Sequence, residues 1–171
     1  GAKILLANPG QAVTQVYELL EENGTVYTIM EYVEGISLDA YLTQNKNRFP
    51  VGRIQVLIQP LLADFARLQE MGFIHGNISP DNLIFSNAGS LKLTGFGYVQ
   101  GKVSLKSDAY AAVEMFQTQQ PVSMSADVYA LCASIYRCIT GAAPQEAYRR
   151  MSQDMLQKPS ALGVEIPTST E

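Results

Sequence analysis

The sequence predicts an α+β fold in one compact unit, with a small sheet at one end and a mostly helical body. Two runs rich in β-branched and aromatic residues, 13–20 and 25–33, flank an Asn-Gly pair and predict a hairpin. Two later stretches carry apolar residues at helical spacing, one from Ile54 and one after Ser125. A length of 171 residues, 47% of them hydrophobic, suffices for one sizeable core.

The hairpin is the first predicted element. Its turn, "EENG", contains Asn23-Gly24, a pair that tolerates the positive φ angles of a tight hairpin turn. After the second strand, Gly35 breaks the pattern and Ser37 is a candidate N-cap for a short helix.

A long amphipathic helix follows and is predicted to end at Gly72. Pro60 lies inside it and is expected to kink the helix or mark a restart. Its apolar stripe comprises Ile54, Leu57, Ile58, Leu61, Leu62, Phe65, Leu68 and Met71.

The next segment, "HGNISPDN" at 75–82, is polar and contains the only histidine of the chain. Two short apolar runs, "LIF" and "LKLT", follow it and are joined by "SNAGS", which predicts a small second hairpin. Residues 95–124 show no sustained period and are predicted to be a long loop, which in a compact domain is usually functional.

The C-terminal part is predicted to be helical. Ser125 is the candidate N-cap of a core helix that ends at Gly141, and a further helix is expected from Pro144 to about Gln157. The tail "EIPTSTE" carries no packing signal. The core-helix stripe comprises Val128, Leu131, Cys132, Ile135, Tyr136 and Ile139.

Composition excludes several function classes. A formal net charge of −4 with no run of Lys or Arg argues against nucleic acid or an anionic membrane as partner. No stretch reaches the roughly 18 apolar residues of a membrane-spanning helix, and "GAKILL" lacks the pattern of a signal peptide. Cys132 and Cys138 are expected to be core thiols in a reducing compartment, so we expect a cytoplasmic protein.

Taken together, the polar loop, the small hairpin and the long loop resemble the C-terminal lobe of a protein kinase. The family's H-R-D-x-x-x-x-N catalytic loop is similar to His75, Gly76, Asn77 and Asn82. Its D-F-G motif is similar to Gly95, Phe96 and Gly97, and its A-P-E motif to Ala112, Val113 and Glu114. The segment "SADVYALCASIYRCITGAAP" resembles the helix after that motif, with its Asp at Asp127.

The segment "MEYVEG" resembles the hinge of the family, with Met30 at the gatekeeper position. By this resemblance Met30, Glu31, Val33 and Leu83 would form a residual adenine site. Residues 1–33 would be a remnant of the N-lobe with the hinge, and 34–171 a C-lobe truncated at its end. The sequence of these segments is most similar to bacterial serine/threonine kinases of eukaryotic type. The implied fold is a truncated protein-kinase-like fold.

The sequence departs from the family pattern at the positions that carry charge. Asn77 stands where the family has its catalytic Asp, so the base position is a neutral amide. Gly95 stands where an Asp would hold magnesium, a cation that prefers oxygen ligands. Ser79 replaces the loop Lys, and Gly76 replaces the Arg that would pair with an activation-loop phosphate.

Other expectations from the resemblance concern architecture. No Gly-rich loop or nucleotide-binding lysine precedes Lys3, and Glu114 is expected to be unpaired or exposed. His75 and Phe96 would stack in an internal spine, and Asp127 would anchor the backbone of the catalytic loop.

The resemblance implies a catalytically inactive pseudokinase that acts as a protein-interaction or regulatory module. The alternative is a residual nucleotide-binding sensor or a weak atypical serine/threonine kinase, with ATP and magnesium as ligands and Asn82 as a vestigial metal position. The first reading expects no cofactor, and a protein partner or self-association through the exposed 13–33 hairpin. Asn77 and Asn82 are equally consistent with ordinary turn residues beside Pro80.

Overall fold

The computed structural model describes residues 1–45, 48–96, 108–116, 122–167 and 169. It has the predicted α+β architecture. Ten helices and strands follow one another along the described chain: α1 (Ala2–Ala7), β1 (Val16–Glu22), β2 (Thr25–Met30), β3 (Gly35–Ser37), α2 (Leu38–Asn45), α3 (Val51–Glu70), β4 (Leu83–Ser86), β5 (Leu91–Leu93), α4 (Met124–Thr140) and α5 (Ala147–Arg150). Short 3-10 turns lie at Asp108–Tyr110, Val113–Phe116 and Pro159–Leu162.

The first hairpin is confirmed, since β1 and β2 pair antiparallel around the predicted turn. Asn23 and Gly24 both have positive φ, 53° and 68°, which is the geometry that two-residue hairpin turns require. The first strand begins at residue 16 and not at 13, because Val13 instead forms a parallel bridge to Leu93. The bridge ties the entry of the hairpin to the second sheet.

The second hairpin, β4–β5, is also confirmed, and a strand that the sequence did not predict extends it to the order β3-β4-β5. Strand β3 has only three residues, too few to show an alternating pattern. Gly35 permits its close approach, because a Cβ at this position would lie 2.3 Å from the carbonyl oxygen of Phe85.

Helix α3 runs unbroken through Pro60, so the predicted restart is absent. Proline leaves the carbonyl four residues earlier without its helical donor. That residue is Val56, which is exposed, so water can satisfy the carbonyl. The predicted N-cap of α2 is confirmed by a 3.1 Å hydrogen bond from the Ala40 N–H to Ser37 Oγ.

Helix α4 ends at Gly141 as predicted, with φ of 77°, but its N-cap is Ser123 and not Ser125. The buried face also differs from the predicted stripe. Val128 is 52% exposed and Cys132 is exposed, whereas Cys138 is buried as expected. The small side chains of α4 face inward, where the helix packs against α3 and the 3-10 turn at Asp108–Tyr110; they include Ala126, Ala130 and Ser134.

The predicted helix from Pro144 to Gln157 is wrong, since α5 spans only Ala147–Arg150. The Gln145 side chain donates to the Gln153 carbonyl and accepts from the Met155 N–H, which holds the chain in a turn. The prediction that the tail carries no packing signal is wrong at Ile166, which packs on the core.

The core lies between α3, α4 and the three-stranded sheet, and reaches α1 and β1 through Leu5 and Val16. The predicted loop at 95–124 contains two of the 3-10 turns, and its segments 97–107 and 117–121 lie outside the described residues. Within the described residues, no helix is long and apolar enough to cross a membrane.

Candidate functional site

The polar loop at 75–82 is held in place by Asp127 of α4. One carboxylate oxygen accepts the His75 N–H at 2.7 Å, and the other accepts the Gly76 N–H at 2.8 Å. Gly76 has φ of 71°, which lets two successive N–H groups turn toward one side chain. The predicted anchoring role of Asp127 is therefore confirmed. Burial raises the pKa of Asp127, and the hydrogen bonds from Gly76 and His75 partly oppose that shift.

His75 is fully buried and its ring is neutral. Burial lowers the pKa of His75 to about 3. A hydrogen bond with the backbone of Thr94 raises this pKa, but by less than burial lowers it. Nδ1 accepts the Asn77 N–H at 3.2 Å, so the ring proton is on Nε2. The ring packs edge-on against Phe73, with 6.3 Å between centroids. Phe96 lies half-buried against the same core, and its stacking on His75 stays a prediction.

Asn77 and Gly95, the two positions that the sequence resemblance aligns with carboxylates of the family, lie against each other. Asn77 Nδ2 donates to the Gly95 carbonyl at 3.1 Å, and Asn82 Nδ2 donates to the Asn77 carbonyl at 2.6 Å. Asn82 also fills the space beside Gly95, because a Cβ there would lie 2.8 Å from Asn82 Oδ1. The three residues form a neutral chain of hydrogen bonds, in which Asn82 donates to Asn77 and Asn77 donates to Gly95. Gly97 lies outside the described residues.

The donor set here does not suit magnesium. A hard divalent cation is usually held by carboxylate oxygens and water, and the described chain has no cluster of three His, Cys, Asp or Glu residues that could hold a metal. Gly95 offers no side chain. Asn82 Nδ2 is engaged with the Asn77 carbonyl, which leaves Oδ1 as the single side-chain oxygen that these two positions offer.

Ser79, which the sequence resemblance aligns with a lysine of the family, points inward. It is 3% exposed, and its hydroxyl has no hydrogen-bond partner among the described residues. Its carbonyl accepts the Asn82 N–H at 3.0 Å, which closes the turn of the loop. This position therefore presents no positive charge to a phosphate.

The predicted adenine-site residues fall on three pieces of backbone. Met30 ends β2 and Leu83 begins β4, where it is 2% exposed. Val33 lies in the segment that follows β2 and is half-buried. The Glu31 carboxylate bonds Lys92 of β5 at 2.9 Å and accepts the Gln15 N–H at 3.2 Å. Glu31 thus links the segment between β2 and β3 to the second sheet.

Lys92 was not singled out from the sequence, although "LKL" placed it on the face opposite two buried leucines. A second missed residue is Asp64, a buried carboxylate on α3. It accepts the N–H groups of Ala12 at 2.7 Å and Val13 at 3.2 Å. Its signal was a charged residue within the apolar stripe of the helix.

Glu114, expected to be unpaired or exposed, is half-buried. It accepts a long hydrogen bond, 3.5 Å, from the Ser123 hydroxyl. Within the described parts of the chain no cation pairs with it.

Comparison with known proteins agrees with this geometry. The family model described as "Protein kinase domain" matches residues 2–168. The serine/threonine-protein kinase PrkC of Bacillus subtilis is 26% identical over 140 residues, covering 77% of this chain and 22% of the relative. The serine/threonine-protein kinase PknL of Mycobacterium tuberculosis is 26% identical over 161 residues, covering 85% and 40%.

Among solved structures, "PpkA-294 apo form" matches with a TM-score of 0.74 at 24% identity, over 95% of this chain and 63% of that chain. This likeness shows the fold alone. The chain spans less than half the length of the two relatives named above.

Proposed function

Because the chain belongs to the protein kinase domain family, we propose that it is a catalytically inactive member, a pseudokinase that acts as a protein-interaction or regulatory module. The observation that carries the proposal is the hydrogen bond from the Asn77 amide to the Gly95 carbonyl. It joins the two positions where the family has carboxylates, and neither can accept a proton at neutral pH or neutralise a metal ion.

Phosphoryl transfer depends almost wholly on positioning and on charge stabilisation. A neutral amide at position 77 cannot take the proton of a substrate hydroxyl. Without a carboxylate at position 95, little remains to hold magnesium against the transferring phosphate. The fold is kept by the Asp127 anchor and the buried His75, which need no catalysis to explain them.

We propose that the interaction surface is the first hairpin. Its outward face carries Leu20, Tyr27 and Ile29, which are between 41% and 51% exposed. Two strands alone have unpaired outer edges, which proteins usually pair or cover. A second copy of the chain or a partner protein would cover this face.

Light scattering across micromolar concentrations tests the self-association form of this proposal. The chain is expected to show a concentration-dependent dimer, which Tyr27→Ser weakens because it removes apolar contact area. Tyr32→Ser is the matched control, since Tyr32 is 86% exposed outside the strands. A strictly monomeric chain would rule out self-association and leave a different partner.

A nucleotide sensor is the second candidate, and one observation favours it. Within the described chain, the backbone N–H and carbonyl of Val33 take part in no hydrogen bond. A free donor and acceptor on a hinge could bind the edge of an adenine ring. In this form the module would bind nucleotide without turnover.

Calorimetric titration with ATP and with adenosine, each with and without magnesium, separates the two candidates. The interaction-module proposal expects no saturable heat in any condition. Binding of adenosine and ATP with equal affinity, independent of magnesium, would favour the sensor. Binding that requires magnesium would contradict the neutral character assigned to the site.

We also propose that the module works in the cytoplasm. Both cysteines are unpaired, as expected in a reducing compartment.

A further inference from the structure

Strand β2 has an open outer edge among the residues that the structure describes. Its inner edge pairs with β1, and no other segment of the described chain bonds to the backbone of residues 25–30. A two-residue turn makes Glu22 and Thr25 a hydrogen-bonded pair, and such pairs alternate along an antiparallel ladder. On this count the N–H and carbonyl groups of Val26 and Thr28 point away from β1.

The two edges of the hairpin differ in the features that prevent strand pairing. Strand β1 carries three glutamates, Glu18, Glu21 and Glu22, and a register shift between Val16 and Glu18. Strand β2, "TVYTIM", has no charged residue, glycine or proline. Charges and bulges are devices with which proteins block a strand edge. The β2 edge is therefore the one that accepts another strand.

The positions of the glutamates favour a second copy of this chain as the source of that strand. Pairing of two β1 edges would place glutamates on neighbouring strands, about 5 Å apart. Pairing of two β2 edges leaves the two β1 strands three strand spacings apart, about 14 Å, which exceeds the Debye length of about 8 Å at physiological salt. The two sets of glutamates are then largely screened from each other.

We propose that two copies pair antiparallel through β2 and form one four-stranded sheet, with Thr28 at the two-fold axis. This inference rests on the proposed interaction surface and names its partner and geometry. The register sets Tyr27 of each copy opposite Ile29 of the other, on the outer face where both side chains are exposed. Aromatic and β-branched residues, like two threonines, make favourable cross-strand pairs. A register centred on Tyr27 would set Ile29 against Thr25 and lose the aromatic contact.

Oxidative cross-linking tests this register. Thr28→Cys is made in a Cys132→Ser background, because Cys132 is exposed whereas Cys138 is buried. Opposed residues of a hydrogen-bonded pair have Cα atoms about 5.5 Å apart, which suits a disulfide. Thr28→Cys is expected to form a covalent dimer under mild oxidation. Thr25→Cys, exposed at the end of the same strand, is the matched control and is expected to form none.

Proline substitution tests the edge independently. Val26→Pro removes an N–H group that would bond the second copy and keeps the pairing with β1, since proline is tolerated on strand edges. The dimer dissociation constant, measured by analytical ultracentrifugation, is expected to rise about tenfold or more. Glu21→Pro is the matched control, because Glu21 lies opposite Val26 and its N–H points to the outer edge of β1. This variant is expected to leave dimerisation unchanged, and circular dichroism checks that both variants are folded.

Other outcomes would overturn the inference. A dimer in which Thr28→Cys does not cross-link, or in which Thr25→Cys cross-links equally, would show that the copies meet elsewhere. Equal weakening by Val26→Pro and Glu21→Pro would contradict the choice of the β2 edge. A chain that is monomeric at every concentration would overturn self-association altogether. The proposed lack of catalysis would be untouched by that result, because phosphoryl transfer is measured separately.

Discussion

At the residue scale, burial fixes the charge states of the candidate site. His75 is neutral because it has no contact with water and because Nδ1 is used as an acceptor by the Asn77 N–H. Asp127 offsets the cost of its own burial with hydrogen bonds to two backbone N–H groups. His75 and Asp127 together hold the backbone of the polar loop. The neighbouring side chains, Asn77 and Asn82, are amides and add no charge to the loop.

The single histidine makes a pH prediction unambiguous. The folded chain keeps His75 neutral down to about pH 3 and the unfolded chain protonates it near its ordinary 6.5. The unfolded state therefore binds more protons across that interval, and the free energy of unfolding should fall as pH drops through it. The expected slope from this residue is at most about 1.4 kcal/mol per pH unit.

Urea unfolding of the wild type and of His75→Phe, at several pH values between 4 and 7, measures this contribution. Asp127 has its pKa raised by burial, so its contribution has the opposite sign, but it is present in both proteins. The difference between the two proteins should grow with pH. Parallel curves would contradict the assignment of a neutral, buried imidazole.

Gly95 gives a second prediction at this scale, because both its φ of 71° and its neighbour Asn82 oppose a side chain. Gly89 is the matched control, with φ of 81° and open space around its Cβ position. Gly89→Ala should cost about 1 kcal/mol from backbone strain alone. Gly95→Ala should cost about 1 kcal/mol more, because Asn82 must give up its bond to Asn77.

Thermal unfolding of the two variants checks this difference. Equal losses would mean that Asn82 moves aside freely. In that case the space for a carboxylate at position 95 would still be open.

At the element scale, the connection between α1 and β1 depends on α3. Asp64 accepts two N–H groups from this connection, and Arg67 donates to the Pro9 carbonyl at 3.1 Å. Gly10 is needed because a Cβ there would lie 2.4 Å from Asp64 Oδ2. One helix face thus fixes the entry to the hairpin.

Gly10→Ala should therefore destabilise the chain by about 2 kcal/mol, because the displaced Asp64 leaves buried N–H groups without a partner. In an Asp64→Ala background the same substitution should cost much less, since the clash is gone. Gly52→Ala, in the first turn of α3 with open space around it, should be neutral or stabilise by up to about 1 kcal/mol. Denaturant unfolding measures all of these; an equal cost of Gly10→Ala in both backgrounds would contradict the clamp.

Elements with local signals were predictable from the sequence, and those set by long-range contacts were not. The Asn23-Gly24 turn and the Gly141 helix end need positive φ, which only a few residue types tolerate, so the sequence predicts them. Strand β3 exists only because Gly35 lies against Phe85, far away along the chain. The segment after α5 fails as a helix because Gln145 bonds its backbone, which no local period reveals.

The same division holds for the candidate site. The motif order predicted Asn77, Gly95, Asn82 and Asp127, and in the structure Gly95 and Asp127 both bond to the loop that carries the two asparagines. Motif order could not predict that Glu31 pairs with Lys92, because the two residues are 61 positions apart and meet only through their side chains.

At the scale of the whole molecule, the kinase-like fold is stabilised by contacts that do not involve the side chains at positions 77 and 95, where the resemblance aligns carboxylates of the family. A continuous apolar core links α1, the first hairpin, the second sheet and both long helices. The segment after β2 is held by the Glu31–Lys92 ion pair, and the polar loop is held by Asp127. Under the proposed function, what this framework offers to other molecules is the exposed face of the first hairpin.

The most direct test of an inactive site is transfer of the γ-phosphate of labelled ATP, with magnesium or manganese, to the chain itself and to a generic basic protein. We expect incorporation no higher than that of the heat-denatured chain, and no change in Asn82→Ala. Metal-dependent incorporation that Asn82→Ala abolishes would contradict the pseudokinase proposal and show that the amide network supports catalysis.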